Sequence, residues 1–479
     1  MKKFSTAFWL VLIITLTSNA LASISRYEYN SDDRLTAKVD HLFTLWDKPD
    51  SPGCAVAIIK DGAIIYKRGY GMANLEQRIP IAPDTAFYIC STSKQFTAMS
   101  IALLEEQGKI SLDDDIRKYL PEMPAYERPV TIRHLIHHTS GLRDYLMLWT
   151  LAGRSFADSI AEAEAIALIA RQKSLNFTPG DQYLYSNSGY FLLSVIVKRA
   201  SGKSLRDFAD QYMFKPLGMR NTSFHDDKSM LIPRRADGHN PRIGGFSLVK
   251  TSFDLVGDGG LYTTAEDLFF WDQNFYRNRL GKGSQSLIDR VLTRGKLNDG
   301  KEISYAFGLG IGEYRGLKMV GHAGSFIGFR SEMIRFPEQK FSVIVLSNLG
   351  NVDTDKLARK VADIYLGDYF KSDAPAATTG QNVPTDKTER VNLSAEQLSE
   401  YAGEYYSEEL DVTYSLRTEN GKMTLRMRYN TAQPLEPAGR DQFGQWGGGR
   451  LVFFRDQQSR IAGFTLDVGR AKNLRFIKK

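Results

Sequence analysis

The chain has 479 residues, 42% of them hydrophobic and 24% charged, with a formal net charge of +7 and a pI near 9.0. That length exceeds one ordinary domain and predicts two or three, and the composition is that of a chain that folds. Basic and acidic residues are interspersed, and no Lys/Arg block with interleaved aromatics occurs, which argues against nucleic acid as a partner.

Residues 1–22 read as a secretory signal. Lys2 and Lys3 start it, Phe8 to Leu16 form a short apolar core, and Ala20-Leu21-Ala22 is a small-residue cleavage site before Ser23. An uncleaved membrane anchor is the competing reading. No later segment is long and apolar enough to span a membrane, so the mature protein is expected to be periplasmic or secreted. Cys54 and Cys90 both lie in the exported part. Each sits in an apolar run, and they are read as free buried thiols, although a bridge is chemically permitted there.

Lys38 to Asp47 has helical spacing. Pro52 to Gly71 reads as a hairpin, Cys54–Ile59 and Ile64–Tyr66 being joined across Lys60-Asp61-Gly62-Ala63. A largely helical middle follows from Lys94 to about Asp210, punctuated by Thr139-Ser140-Gly141 and Thr178-Pro179-Gly180. Strands return at Phe307–Gly312, Lys318–Val320, Phe329–Phe336 and Phe341–Leu346, and Leu357–Leu366 closes with a helix. The expected fold is α/β: an antiparallel sheet flanked by helices, with a helical subdomain between strands from the two ends of the chain. Residues 371–389, rich in Ala, Thr, Pro and Asp, read as a linker. Residues 390–479 carry short alternating runs such as Val412–Leu416, Met423–Met427 and Leu451–Phe454, split by Asn420-Gly421 and Gly447-Gly448-Gly449, and predict a small barrel.

The sharpest chemical signal is Ser91-Thr92-Ser93-Lys94, between an apolar run and a helical one. Residues i and i+3 share one face of a helix's first turn. A serine hydroxyl needs an adjacent base to become a nucleophile, and a lysine serves only if burial or nearby positive charge lowers its pKa. The bland alternative is that Ser91 merely caps the helix. His134 and His138 stand four residues apart and could share a metal, but no glutamate follows His134 as a zinc-protease helix requires, and no metal or other cofactor is expected. The absence of a Gly-x-Ser-x-Gly elbow argues against an α/β-hydrolase.

Two further motifs follow in order: Tyr185-Ser186-Asn187, and His322-Ala323-Gly324-Ser325, on a strand ahead of Phe329–Phe336. With Thr131–Leu142 and Gly257–Tyr262, they make residues 23–370 resemble the serine β-lactamase and penicillin-binding-protein-like superfamily, nearest its class C branch with serine esterases and D-aminopeptidases. The resemblance implies a serine acyl-enzyme mechanism. Ser91 attacks the acyl carbon. Lys94 or Tyr185 is the base, the choice being open at this level, and Tyr185 protonates the leaving group. Asn187 orients Lys94 or the substrate, unless it is a loop asparagine bonding its own backbone. The oxyanion sits between the N–H groups of Ser91 and Ser325, and Gly324 lets the acyl group approach the strand. His322 stands where β-lactamases usually carry a lysine. A mostly neutral histidine there points away from a β-lactamase or D,D-carboxypeptidase, toward an esterase or D-aminopeptidase acting on small esters, amides or peptides. A packed strand histidine is the plain alternative. A slowly deacylating cell-wall or β-lactam sensor is the rival of another class. Residues 390–479, through Tyr401–Tyr406 and Ala462–Leu466, resemble the lipocalin-like module that follows this domain in some relatives, where it either shapes the active-site mouth or only stabilises.

Overall fold

Cys54–Lys60 (β1) and Phe341–Ser347 (β6) are apolar almost without interruption, as strands covered on both faces must be. The computed structural model, which describes residues 33–249, 253–371, 393–419, 421–427, 432–445 and 448–479, pairs them at the centre of a six-stranded antiparallel sheet. With Ala63–Tyr70 (β2), Gly310–Tyr314 (β3), Leu317–Phe326 (β4) and Phe329–Phe336 (β5), the order is β3-β4-β5-β6-β1-β2. Strands from the two ends of the domain thus share one sheet, with the helical segment inserted between them. The predicted signal, and the predicted linker beyond its first residue, lie outside the described residues.

One face of the sheet is covered by Asp33–Phe43 (α1) and Thr354–Leu366 (α6). Asp353 caps α6 by accepting from the Lys356 N–H, which sets its start three residues before the predicted one. Leu357, Ala358, Val361, Ala362 and Leu366 then form its buried stripe. Against the other face lies Lys94–Glu106 (α2), buried from Lys94 to Leu104, followed by the shorter Ile132–Ile136 (α3), Tyr145–Leu151 (α4) and Asn187–Ser201 (α5) among other helices. Cys54 faces the α1/α6 layer, Cys90 packs in the core on the opposite side, and both thiols are free.

Two strand boundaries differ from the expectation for local reasons. Phe307 is not in β3, because Gly308, at φ +70°, turns the chain before Gly310. Strand β4 runs on to Phe326, so the His322-Ala323-Gly324-Ser325 motif lies within it.

The C-terminal segment closes into an eight-stranded antiparallel barrel, Gly403–Ser407 (β7), Val412–Glu419 (β8), Lys422–Arg426 (β9), Gln433–Gly439 (β10), Gln442–Gln445 (β11), Gly449–Arg455 (β12), Ile461–Val468 (β13) and Ala471–Lys478 (β14). Its interior is filled by rings, Tyr405, Tyr414, Phe443, Phe453, Phe464 and Phe476, the last two stacked at 4.7 Å. The Tyr414 hydroxyl reaches out to donate to the Leu151 carbonyl at the end of α4 (2.7 Å). The barrel core is continuous with that of the α/β domain, and the two are docked through apolar contact as well as polar bonds.

Candidate active site

Ser91 sits in a 3-10 turn, Cys90–Ser93, that runs directly into α2. Cys90 before it has φ +51°, a left-handed conformation that costs a non-glycine residue energy and must be held by its surroundings. They do hold it. Thr92 Oγ1 donates to the His322 carbonyl (3.0 Å) and contacts Ser331 Oγ (2.9 Å), while Ser331 Oγ donates to the Ile89 carbonyl (2.7 Å). Gly324 lies flat against this turn. A Cβ there would fall 2.3 Å from the Ile89 oxygen and from Ser331 Oγ. The closeness of β4 to the turn that carries Ser91 is therefore enough by itself to require glycine here.

Lys94 is fully buried, and its Nζ contacts three oxygens: Ser91 Oγ (3.1 Å), Asn187 Oδ1 (2.9 Å) and the Asp258 carbonyl (2.6 Å). Burial pushes its ammonium down to about 8, against the pull of the Asp258 and Asp144 carboxylates. The same burial pushes the Asp258 carboxyl up to about 6, with Lys94 opposing. Asn187 is the first residue of α5, not a loop asparagine on its own backbone. Its side-chain Oδ1 accepts a hydrogen bond from Lys94 Nζ, and its Nδ2 and backbone N–H both donate to Asp144 Oδ2 (2.9 and 2.8 Å). Burial raises the Tyr185 phenol far above its ordinary value, opposed by a hydrogen bond to Ser91 and by the Arg470 charge. Lys94 Nζ stands 4.9 Å from the centre of the Tyr185 ring.

On β4, His322 Nδ1 lies 2.6 Å from the Ala323 carbonyl and Nε2 lies 2.9 Å from the Tyr305 hydroxyl. A carbonyl only accepts, so Nδ1 carries the hydrogen and donates it, while Nε2 accepts a hydrogen bond from the Tyr305 hydroxyl. Burial and the Lys94 charge push the ring down to about 3, so it is neutral. The site thus brings Ser91, Tyr185, Asn187, His322, Gly324 and Ser325 to one cleft of about 650 Å³, with Lys94 buried behind Ser91. His134 and His138 do not converge. His134 Nδ1 accepts from the Thr131 N–H at the start of α3, and His138 Nδ1 accepts from the Ser186 N–H while its ring packs 4.2 Å from that of Tyr185.

Sequence reasoning missed several residues. Asp258 belongs to the quoted Gly257–Tyr262 stretch but had been given no role. Its backbone bonds Lys94, and its carboxylate takes the Tyr145 hydroxyl (3.2 and 3.1 Å). The tight approach is fixed by Gly257, at φ +111°, where a Cβ would lie 2.4 Å from the Tyr190 oxygen. Asp144 caps α4 while supporting Asn187. Most distant in sequence is Arg470, in the turn between β13 and β14 of the barrel. Its guanidinium lies over the Tyr185 ring, 4.7 Å from the centre, and lines the cleft.

A family model for β-lactamases matches residues 39–366, from within α1 to the end of α6. The chain belongs to the β-lactamase family. Within it, the chain is 30% identical over 422 residues to penicillin-binding protein 4* of Bacillus subtilis, covering 84% of this chain and 89% of that one. It is 31% identical over 317 residues to a D-aminopeptidase of Brucella anthropi, covering 66% of this chain but only 59% of the relative. In fold it matches the octameric penicillin-binding protein homologue of Pyrococcus abyssi with a TM-score of 0.61 at 24% identity, over 93% of this chain and 99% of the other. It matches the D-amino acid amidase of Ochrobactrum anthropi SV3 with a TM-score of 0.58 at 21% identity, over 70% and 99%. The chain is a serine hydrolase of the β-lactamase-like superfamily. Among the described residues no helix is long and apolar enough to cross a membrane.

Proposed function

We propose that the chain is an exported hydrolase that forms and hydrolyses an acyl-enzyme on Ser91, acting on small esters or amides in the manner of esterases and D-aminopeptidases. The observation that carries this reading is the set of contacts around Lys94. A neutral amine has two hydrogens and one lone pair. Asn187 Oδ1 and the Asp258 carbonyl are pure acceptors and take the two hydrogens, so the lone pair faces the Ser91 hydroxyl. With its pKa near 8, the amine is available close to neutral pH, whereas the Tyr185 phenolate is costly. This favours Lys94 as the acylation base.

In this scheme Ser91 Oγ adds to the acyl carbon as Lys94 takes its proton. The oxyanion is held by the backbone N–H groups of Ser91 and Ser325. The bond to the leaving oxygen or nitrogen then breaks as Tyr185 donates its proton to it, and the proton that Lys94 took from Ser91 passes to the Tyr185 phenolate, returning Lys94 to the neutral amine. Water adds to the ester in the same way, the acid departs, and Ser91 regains its hydrogen. His322, neutral and fixed by Tyr305, shapes the strand side of the cleft without charging it.

The test is intact-protein mass spectrometry of the exported protein and of Ser91→Ala, each treated with a fluorophosphonate and then with a penicillin. A mature mass beginning at Ser23, with one phosphonate adduct on wild type and none on Ser91→Ala, is the expected result. Equal labelling of both proteins would overturn Ser91 as nucleophile. The likeness to penicillin-binding protein 4* over most of the chain favours a second reading, a β-lactamase or D,D-carboxypeptidase. A penicillin adduct that turns over supports that reading, and one that persists supports a slowly deacylating sensor.

The Asp258 carboxylate favours the ammonium form of Lys94 and is ionised above its own pKa of about 6. Asp258→Asn removes that charge, so Lys94 loses its proton more easily. The rising limb of kcat/KM, expected near pH 8 in wild type, should move to lower pH by about one unit. Ester hydrolysis followed from pH 5 to 10 checks it, and a limb that stays or moves up contradicts the Lys94–Asp258 coupling.

A further inference from the structure

The strand position that in β-lactamases usually carries a lysine offers no fixed charge to the cleft here, since His322 is neutral. Arg470 supplies a permanent one from the other side of the cleft. We propose that Arg470 is a substrate-binding residue supplied by the barrel, and that it selects substrates bearing a carboxylate over those bearing a free amine. This rests on the acyl-enzyme reading and narrows its substrate class.

The placement of Arg470 is rigid, although the residue is far from the site in sequence. Its carbonyl accepts from the Asp144 N–H (3.2 Å) and from Asn176 Nδ2 (3.0 Å), and the Lys472 N–H donates to Asn176 Oδ1 (2.9 Å). Gly469, at φ +50°, begins the turn, and a Cβ there would lie 3.0 Å from Met147 of α4. The turn is therefore held by backbone bonds, and the side chain is left to face the cleft with 37% of its surface open.

That side chain is not consumed by the protein. Among the described residues its one acceptor is Asp144 Oδ2, at 3.4 Å, and that oxygen already accepts twice from Asn187. A guanidinium has five donors and pairs best with a planar carboxylate, so its outward edge is free to take one from a ligand. Asp144 neutralises part of its charge, and Asp258, with its carboxylate turned to Tyr145, faces Lys94. An ammonium brought to this edge would meet a like charge that is already fixed in place.

The test uses the full-length protein and two ester series. One varies the acyl chain under a common 4-nitrophenyl leaving group: butyryl, succinyl and β-alanyl. The other places the charge on the leaving group: acetyl esters of 4-hydroxybenzoate and 4-hydroxybenzamide. Wild type should prefer the anionic member over its neutral partner in at least one series and disfavour the β-alanyl ester. Arg470→Gln should lower the anionic-to-neutral ratio of kcat/KM by about tenfold, the size of one charge-assisted hydrogen bond, and Arg470→Lys should restore much of it. The preference should also shrink as salt is raised. Because the turn docks through its backbone, Arg470→Gln should unfold at the wild-type temperature. An unchanged ratio in both series, with turnover still lost in Ser91→Ala, overturns the role of Arg470 alone. So does a change confined to the pH profile, which would make Arg470 a positioning residue for Tyr185. Turnover that survives in Ser91→Ala, or no turnover of any ester, overturns the acyl-enzyme reading and this inference with it.

Discussion

Lys94→Ala is expected to lower kcat/KM for any ester substrate by about four orders of magnitude, comparable to the loss of a member of a catalytic triad. Among the described residues the amine alone contacts Ser91 Oγ, Asn187 Oδ1 and the Asp258 carbonyl together, so its removal strips the nucleophile of its base and leaves two buried acceptors without a donor. Lys94→Arg is the more informative variant. It keeps the positive charge and hydrogen-bonding capacity, but a guanidinium does not give up its proton in this pH range. If Lys94 is the base, arginine should be nearly as inactive as alanine. The measurement is single-turnover acylation by a chromogenic ester, with circular dichroism to confirm folding. Arginine activity within tenfold of wild type would transfer the base role to Tyr185.

Much of the fold was legible because its signals are local. The largely apolar runs of β1 and β6, the stripe of α6 and the alternation in the barrel strands each follow from which faces are covered. What could not be read was long-range. Nothing near Asp258 in sequence shows that its carbonyl meets Lys94, 164 positions away, and nothing near Gly324 shows that the Ile89 carbonyl lies against it. The three motifs named residues that the structure brings to one cleft, because their order along the chain is informative. The residues that support them, Asp144, Tyr145 and Tyr305, are ordinary capping or core residues by type. Arg470 was the least legible. The barrel strands predicted a module, but which of its turns would face the cleft depends on docking, and docking depends on a buried arginine that no pattern marks.

That arginine is Arg143. Arg143→Met is expected to destabilise the barrel's docking by about 3–5 kcal/mol and to impair catalysis as well. The side chain is almost wholly buried, and all five of its N–H donors are used. Nε donates to the Lys472 carbonyl (2.8 Å). Nη1 donates to Gln172 Oε1 (2.8 Å) and Glu409 Oε1 (2.6 Å), and Nη2 to Ser174 Oγ (2.9 Å) and the Asn473 carbonyl (3.0 Å). Three of those acceptors belong to the C-terminal module, so one side chain pins both ends of it to the sheet-and-helix domain. Methionine fills similar space but leaves Glu409 buried without its counter-charge, which is where most of the cost arises. Arg143→Met combined with Glu409→Gln should therefore cost less than the two single changes summed, and a double-mutant cycle in denaturant reads this directly. The catalytic effect follows from position in the chain. Asp144, the next residue, holds Asn187, and Asn187 holds Lys94. A shift of about 1 Å passed along that series is enough to cost about a hundredfold in rate. Arg143→Met should lower kcat/KM while leaving Ser91 labelled by a phosphonate, only more slowly. Wild-type stability and rate in that variant would show the barrel to be held by its apolar contact alone, and the coupling between docking and catalysis would be absent.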